Sequence, residues 1–397
     1  MNESPLIEWV EDGTERSSRW RSENGAAPPR RVVVADDRTK ADDAYRLACE
    51  GTALLWRGDF QNARQLLQAM TRRADRTPRR KRKRAGGGAS TGTGAGTGAS
   101  AGTAPSQVQA FHLHRQAQAQ RARTLGMVLI PVEAGHKIAL RRAPDVEQAC
   151  LEAYGEADEP YVTSLRELQG LIGAHEWRKK GVPVPALGGD RVHPHYGVFS
   201  PVRGEYVDLV AAAPLPSDTL AYDIGTGTGV LAAVLARRGV RRVVATDQDR
   251  RALACARENV ARLDLADRVE VTEADLFPPG RAPLVVCNPP WLPARPSSPL
   301  EYAVYDPDSR MLRGFLNGLA GHLEPPGGEG WLILSDLAEH LGLRTRAELL
   351  DAFETAGLRV LDRMDTRPRH PRAADSGDPL YEARAAEVTS LWRLAAR

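Results

Sequence analysis

The chain has 397 residues, 54 Lys and Arg against 51 Asp and Glu, with 42% hydrophobic and 26% charged residues. That length supports two domains and a sizeable core, and no apolar run approaches the ~18 residues that a membrane span requires. Met1-Asn2-Glu3-Ser4-Pro5 shows no secretory signal, and Cys49, Cys150, Cys255 and Cys287 form no C-x-x-C pair, so reduced thiols in a cytoplasmic protein are expected.

Residues 1–84 read as a mostly helical region with a basic tail. Before residue 41 the one β-like run is Arg31-Val32-Val33-Val34. From Ala41 to Ala74 apolar residues recur at helical spacing around the turn Arg57-Gly58-Asp59. This predicts a helical hairpin, with Asp59 capping its second helix. The tail ends in Arg79, Arg80, Lys81, Arg82, Lys83 and Arg84. Such a block either grips nucleic-acid phosphates or stays a solvated face. Residues 85–106 are almost entirely Gly, Ala, Ser and Thr, a composition that predicts a flexible linker and a domain boundary.

Residues 107–190 read as an auxiliary substrate-recognition module of mixed structure. A Gln-rich basic helix is expected over 108–125, where His112 and His114 diverge around the helix. Strands are expected at Met127–Pro131 and Lys137–Leu140, and a helix at Asp145–Tyr154. Ser164 and Glu167 have the spacing of a capping box opening a further helix. In the stretch that follows, the proline between His193 and His195 argues against a metal pair.

The informative part begins at Thr219. A β-prone run to Ile224 contains Asp223 and meets Gly225-Thr226-Gly227-Thr228-Gly229, followed by the helical pattern from Val230. Glycines at G-x-G-x-G expose main-chain N–H groups to a ligand. The dinucleotide fingerprint needs a glycine at 230, so a nicotinamide dehydrogenase is disfavoured. A second strand, Val243–Thr246, ends in Asp247 and Gln248. A third, Val269–Thr272, runs into Asp275 and Leu276, and a fourth, Leu284–Cys287, ends in Asn288-Pro289-Pro290-Trp291. Acidic and polar residues at successive strand ends line the crevice of an open α/β sheet. Asp249 reads as a helix cap. Further strands are expected at Trp331–Ser335, Leu358–Leu361 and Thr389–Leu394, giving a doubly wound Rossmann-like α/β domain over residues 191–397.

This series resembles the class I S-adenosylmethionine-dependent methyltransferases. The Asn-Pro-Pro-aromatic tetrapeptide is similar to that of the small-domain, protein-glutamine N5 and N6-adenine types. The resemblance implies a seven-stranded sheet with its last strand antiparallel, and S-adenosyl-L-methionine as cofactor. It implies Asp223 near the methionine ammonium, Gly225, Thr226, Gly227 and Gly229 giving backbone access, Asp247 on the ribose, Gln248 beside the adenine, and Asp275 and Leu276 on its amino group and ring. Phe199, Pro201, Arg203 and Glu205 look like the segment that closes over cofactor and acceptor. Asn288 and the Pro289 carbonyl would accept the N–H bonds of a planar nitrogen, Pro290 would stiffen the turn, and Trp291 would offer a stacking face. The acceptor expected is a protein glutamine of the translation machinery or a ribosomal or transfer RNA base. The alternatives are an N6-adenine DNA methyltransferase and a non-catalytic RNA- or protein-binding scaffold. No metal site is expected.

Overall fold

The computed structural model describes residues 5–75, 106–202, 204–296, 301, 304–368 and 377–397. The basic block Arg79–Arg84, the linker from 85 to 105 and Arg203 lie outside the described residues.

The chain opens with a hairpin the sequence reading missed. β1 (Leu6–Glu11) and β2 (Thr14–Trp20) run antiparallel with Glu11 opposite Thr14. Asp12 and Gly13 alone make the turn, with φ of 51° and 74°. Asp-Gly is the pair such a two-residue turn demands, and it was the available signal. There follow β3 (Arg31–Ala35), α1 (Ala41–Cys49), β4 (Thr52–Trp56), α2 (Phe60–Ala74), α3 (Gln107–Leu125), β5 (Val128–Val132), α4 (Glu147–Tyr154), β6 (Tyr161–Ser164) and α5 (Leu165–Lys180). The six strands form one sheet in the order β1-β2-β6-β5-β4-β3.

That sheet corrects three expectations. The N-terminal region is not mostly helical, and Ala41–Ala74 is not a helical hairpin. Leu54-Leu55-Trp56 are the last three residues of β4, whose five residues are all buried. Leu54 and Trp56 feed the core beneath α1, α2, α4 and α5, while Ala53 and Leu55 feed a second core with Ile7, Trp20 and Val162. A strand buried on both faces is an unbroken apolar run, which periodicity alone does not separate from a helix. Third, residues 1–84 and 107–190 are not separate units. β4 pairs with β5 and β2 with β6, so strands from both sides of the 85–106 segment share one sheet.

Smaller expectations divide. Asp59 caps α2, accepting the Gln61 N–H at 2.8 Å. Lys137–Leu140 is no strand; only Lys137 forms a bridge, to Glu133. Ser164 stands at the N-cap of α5 without a capping bond. The Glu167 carboxylate instead accepts from Ser22 Oγ and Tyr154 Oη, both at 2.7 Å, so a tertiary contact takes the group a capping box would use. An engineered protease site placed between residues 85 and 105 tests the shared sheet. After cleavage the two fragments are expected to co-elute in size-exclusion chromatography and separate only in denaturant, because β-ladders and the common core still join them.

A short ribbon of β7 (Val182–Pro183) and β8 (Arg191–Val192) leads into the second sheet. Its elements are α6 (Glu205–Ala212), β9 (Leu220–Ile224), α7 (Val230–Arg237), β10 (Arg242–Asp247), α8 (Arg250–Arg262), β11 (Val269–Glu273), β12 (Leu284–Cys287), α9 (Arg310–His322), β13 (Glu329–Ser335), α10 (Leu337–His340), α11 (Arg346–Thr355), β14 (Leu358–Thr366), α12 (Tyr381–Ala386) and β15 (Thr389–Ala396). The seven strands lie in the order β11-β10-β9-β12-β13-β15-β14. β15 is antiparallel to both its neighbours and the remaining pairs are parallel. The sequence thus runs outward from β9 to β11 and returns to β12, leaving a crevice at the strand ends between β9 and β12. The two halves are tied by Arg178 to Glu258 at 2.6 Å and by Arg251, which donates to Glu23 at 3.0 Å and to the Ala153 carbonyl at 2.6 Å. Among the described residues no helix is long and apolar enough to cross a membrane.

Candidate active site

Above the β9–β12 crevice lies a cleft of about 640 Å³. Its floor is the loop between β9 and α7. Gly225, Gly227 and Gly229 have φ of 71°, 56° and 80°, a region that residues bearing a Cβ rarely adopt. At Gly225 a Cβ would stand 2.4 Å from Met311 Cε, so the loop passes directly beneath α9. The Thr226 N–H bonds to the Thr246 carbonyl at 2.8 Å, fixing the loop to β10.

Gly225, Thr226, Gly227, Asp247, Gln248, Asp275, Leu276, Asn288 and Pro290 all open on this cleft. The cleft thus joins nine of the thirteen residues the sequence reading assigned to the site. Asp247 closes β10 and is half-buried. Its carboxylate accepts the N–H groups of Gly227 and Asp249, each at 3.0 Å. Burial raises its pKa above the ordinary carboxylate range despite those bonds. Asp249 caps α8 through the Arg251 N–H, as expected. Asp275 is exposed and lies 3.8 Å from Arg310.

Four of the assigned residues do not open on the cleft. Asp223 is 1% exposed and does not reach the cleft. Its carboxylate accepts from Thr226 Oγ1 at 2.6 Å and the Ala232 N–H at 3.1 Å, so it holds the glycine loop and the start of α7 from behind. Gly229 also lies behind the cleft wall. A Cβ there would meet Ala256 at 3.3 Å, so this glycine serves the packing of α7 on α8. Trp291 offers no stacking face to the cleft. Its indole N–H donates to Asn288 Oδ1 at 3.0 Å, and its ring packs on the core beneath α9. Pro289 is buried behind the wall as well.

Sequence reasoning missed Tyr206, Arg251, Tyr305, Asp306, Arg310 and Met311, which also line the cleft. None carries a local motif; Tyr206, Arg251, Arg310 and Met311 converge through the packing of α6, α8 and α9, and Tyr305 and Asp306 through their backbone pairing with Leu292. Phe199, from the segment thought to close over the site, does line it, while Glu205 is buried at the start of α6. His195 Nε2 pairs with Glu258 at 2.7 Å and His193 Nδ1 with the Arg178 carbonyl at 2.6 Å, which pins the segment leading to Phe199.

Burial, with the nearby Asp247 charge, raises the Asp223 pKa from 3.8 to about 6. The native state therefore holds this proton more tightly than the unfolded chain. Stability falls as pH climbs through the interval between those two values, and the buried anion costs roughly 3 kcal/mol above it. Asp223→Asn keeps an oxygen acceptor for the Thr226 hydroxyl and the Ala232 N–H. Its Tm is expected to be flatter than wild type between about pH 4 and 6, and no lower than wild type at pH 7.5.

The donor set fits a nucleoside linked to an amino acid. The cleft offers a carboxylate at a strand tip, exposed main-chain amides at a glycine loop, and an apolar wall from Leu276. Residues 191–299 match the family model described as methyltransferase small domain. The chain is similar to the release factor glutamine methyltransferase of Cereibacter sphaeroides, 33% identical over 181 residues, 42% of this chain and 63% of that protein. It is 32% identical over 154 residues to the tRNA1(Val) (adenine(37)-N6)-methyltransferase of Bacteroides thetaiotaomicron, 37% of this chain and 64% of that protein. With the ribosomal protein L11 methyltransferase of Sorangium cellulosum it shares 29% identity over 241 residues, 55% of this chain and 68% of that protein. The chain thus spans less than two thirds of the length of the first two relatives.

Proposed function

We propose that this chain, whose residues 191–299 match a methyltransferase small domain, transfers a methyl group from S-adenosyl-L-methionine to a planar amide or amino nitrogen. The observation that carries this reading is that Asp247 and Asn288, at the ends of different strands, open on one cleft across Gly225 and Gly227.

When bound, S-adenosylmethionine supplies a methyl group already activated on a sulfonium sulfur. The chain's own work is to bind and to aim. Asp247 takes the ribose hydroxyls, the amides of the glycine loop take the amino-acid end, and Asp275 with Leu276 takes the adenine. On the acceptor side Asn288 Oδ1 accepts an N–H from the incoming nitrogen. An amide or aromatic amine has its lone pair delocalised, so a fixed acceptor that draws the nitrogen toward tetrahedral geometry stabilises the transition state. The indole of Trp291 fixes which face of the Asn288 amide is oxygen.

The acceptor proposed is a glutamine in a protein of the translation machinery or a base of transfer or ribosomal RNA, in a cytoplasmic setting. The substrates for which those relatives are named, a release factor glutamine and a transfer RNA adenine, support both, and the block Arg79–Arg84 supports contact with RNA. Calorimetry with S-adenosylhomocysteine tests the cofactor site. Transfer of labelled methyl into lysate fractions, with and without ribonuclease and protease, tests the acceptor. Absence of both signals refutes the reading.

A further inference from the structure

We propose that Tyr305, braced from behind by Arg115 of the N-terminal half, is the platform on which the planar acceptor group stacks; this rests on the methyl-transfer reading above. Trp291, the aromatic that sequence assigns to that task, is committed elsewhere by its bond to Asn288 and its packing on the core. Tyr305 lines the same cleft as Asn288 and Pro290.

Its position relative to Asn288 is fixed by the backbone. Leu292 and Tyr305 form a parallel bridge, the N–H groups of Trp291 and Leu292 both donate to the Val304 carbonyl, and the Asp306 N–H returns to the Leu292 carbonyl at 2.8 Å. The buried Asp306 carboxylate accepts the N–H groups of Met311 and Leu312, each at 3.1 Å, which anchors this strap to the start of α9.

The brace comes from α3, almost two hundred residues away in sequence. The Arg115 guanidinium carbon lies 4.0 Å from the centroid of the Tyr305 ring. Nη2 donates to the Arg295 carbonyl at 2.8 Å and to Glu301 at 3.3 Å. One turn earlier, Phe111 is buried among Leu292, Leu341 and Leu380, so the helix is seated where Arg115 must stand. A cation over one face of a ring is attractive in itself. It also draws π density toward that face, which makes the other face a better seat for an electron-rich planar group. Tyr305 would therefore touch the acceptor, and Arg115 is a positioning residue acting through it.

The test uses the full chain saturated with S-adenosylhomocysteine and two small probes, N-acetylglutamine methylamide and 9-methyladenine, followed by ligand-observed NMR. At least one probe is expected to bind the wild type. Tyr305→Phe keeps that affinity, Tyr305→Leu weakens it about tenfold, and Arg115→Gln weakens it about threefold. The double variant should be no weaker than Tyr305→Leu alone, a coupling that a merely structural arginine would not produce. Calorimetry with S-adenosylhomocysteine should be unchanged throughout. If Tyr305→Leu loses that binding through misfolding, the Tyr305→Phe and Arg115→Gln results decide. The proposal is overturned if neither probe binds, if Tyr305→Leu binds as wild type, or if the two substitutions add independently. Failure of the catalytic reading shows separately, as probe binding without methyl transfer to release factor, ribosomal protein L11 or tRNA.

Discussion

On the proposed function, Asn288→Ala is expected to lower methyl transfer by about 100- to 1000-fold while S-adenosylhomocysteine binds within about threefold of wild type. The asymmetry follows from where this side chain stands. It closes β12, half-buried on the cleft wall, and its amide is held by the Trp291 indole at 3.0 Å. In the proposed reaction Asn288 would contribute an oriented dipole to the nitrogen as positive charge develops on it, and such a dipole acts mainly in the transition state. Removing it therefore lowers turnover more than it changes occupancy. Turnover within a few-fold of wild type would reassign the acceptor contact. Equal losses in turnover and cofactor affinity would mean that the strand end had collapsed.

The second large effect is on binding. Asp247→Ala is expected to weaken S-adenosylhomocysteine binding by about 100-fold, and Asp247→Asn by about tenfold. A carboxylate at this strand tip accepts two hydroxyl hydrogen bonds at once, each strengthened by its charge. The alanine variant also leaves the Gly227 N–H without the acceptor that holds the glycine loop at 3.0 Å. Asparagine keeps one oxygen and places an N–H₂ where the other stood, which explains the intermediate value. Titration calorimetry measures both variants, and unchanged affinity would move the ribose site elsewhere.

Much of the second half was legible because parallel strands buried on both faces leave long apolar runs. Their ends, where backbone must turn, carry the polar residues. Gly225, Asp247 and Asn288 could be placed on one crevice from spacing alone, and the cleft joins them. The direction of each side chain was not legible. Asp223 sits in the motif yet faces the core, because position along a strand does not tell which face a residue takes until the register is known. Trp291 sits in the motif yet turns its N–H on its neighbour.

The first half was misread for a different reason. The pairing of β2 with β6 joins residues more than a hundred positions apart. No local pattern in the Gly/Ala-rich segment between them reports that both sides contribute strands to one sheet. Composition marked 85–106 as a boundary, but a polar insert of any length can leave a sheet edge and return to it. Arg115 and Tyr305 were invisible for the same reason, since their contact exists only once α3 has crossed to the other half.

Arg251 gives this arrangement a mechanical meaning. Its side chain walls the cleft, yet its guanidinium is held by Glu23 and by the carbonyl that ends α4. The chamber cannot widen there without loosening the grip of one half on the other. A catalyst that must discharge S-adenosylhomocysteine after every turnover would feel that latch as a brake on product exit. Anything that grips the loop after β2 or the end of α4 would then have a lever on the cycle time, far from the reacting atoms.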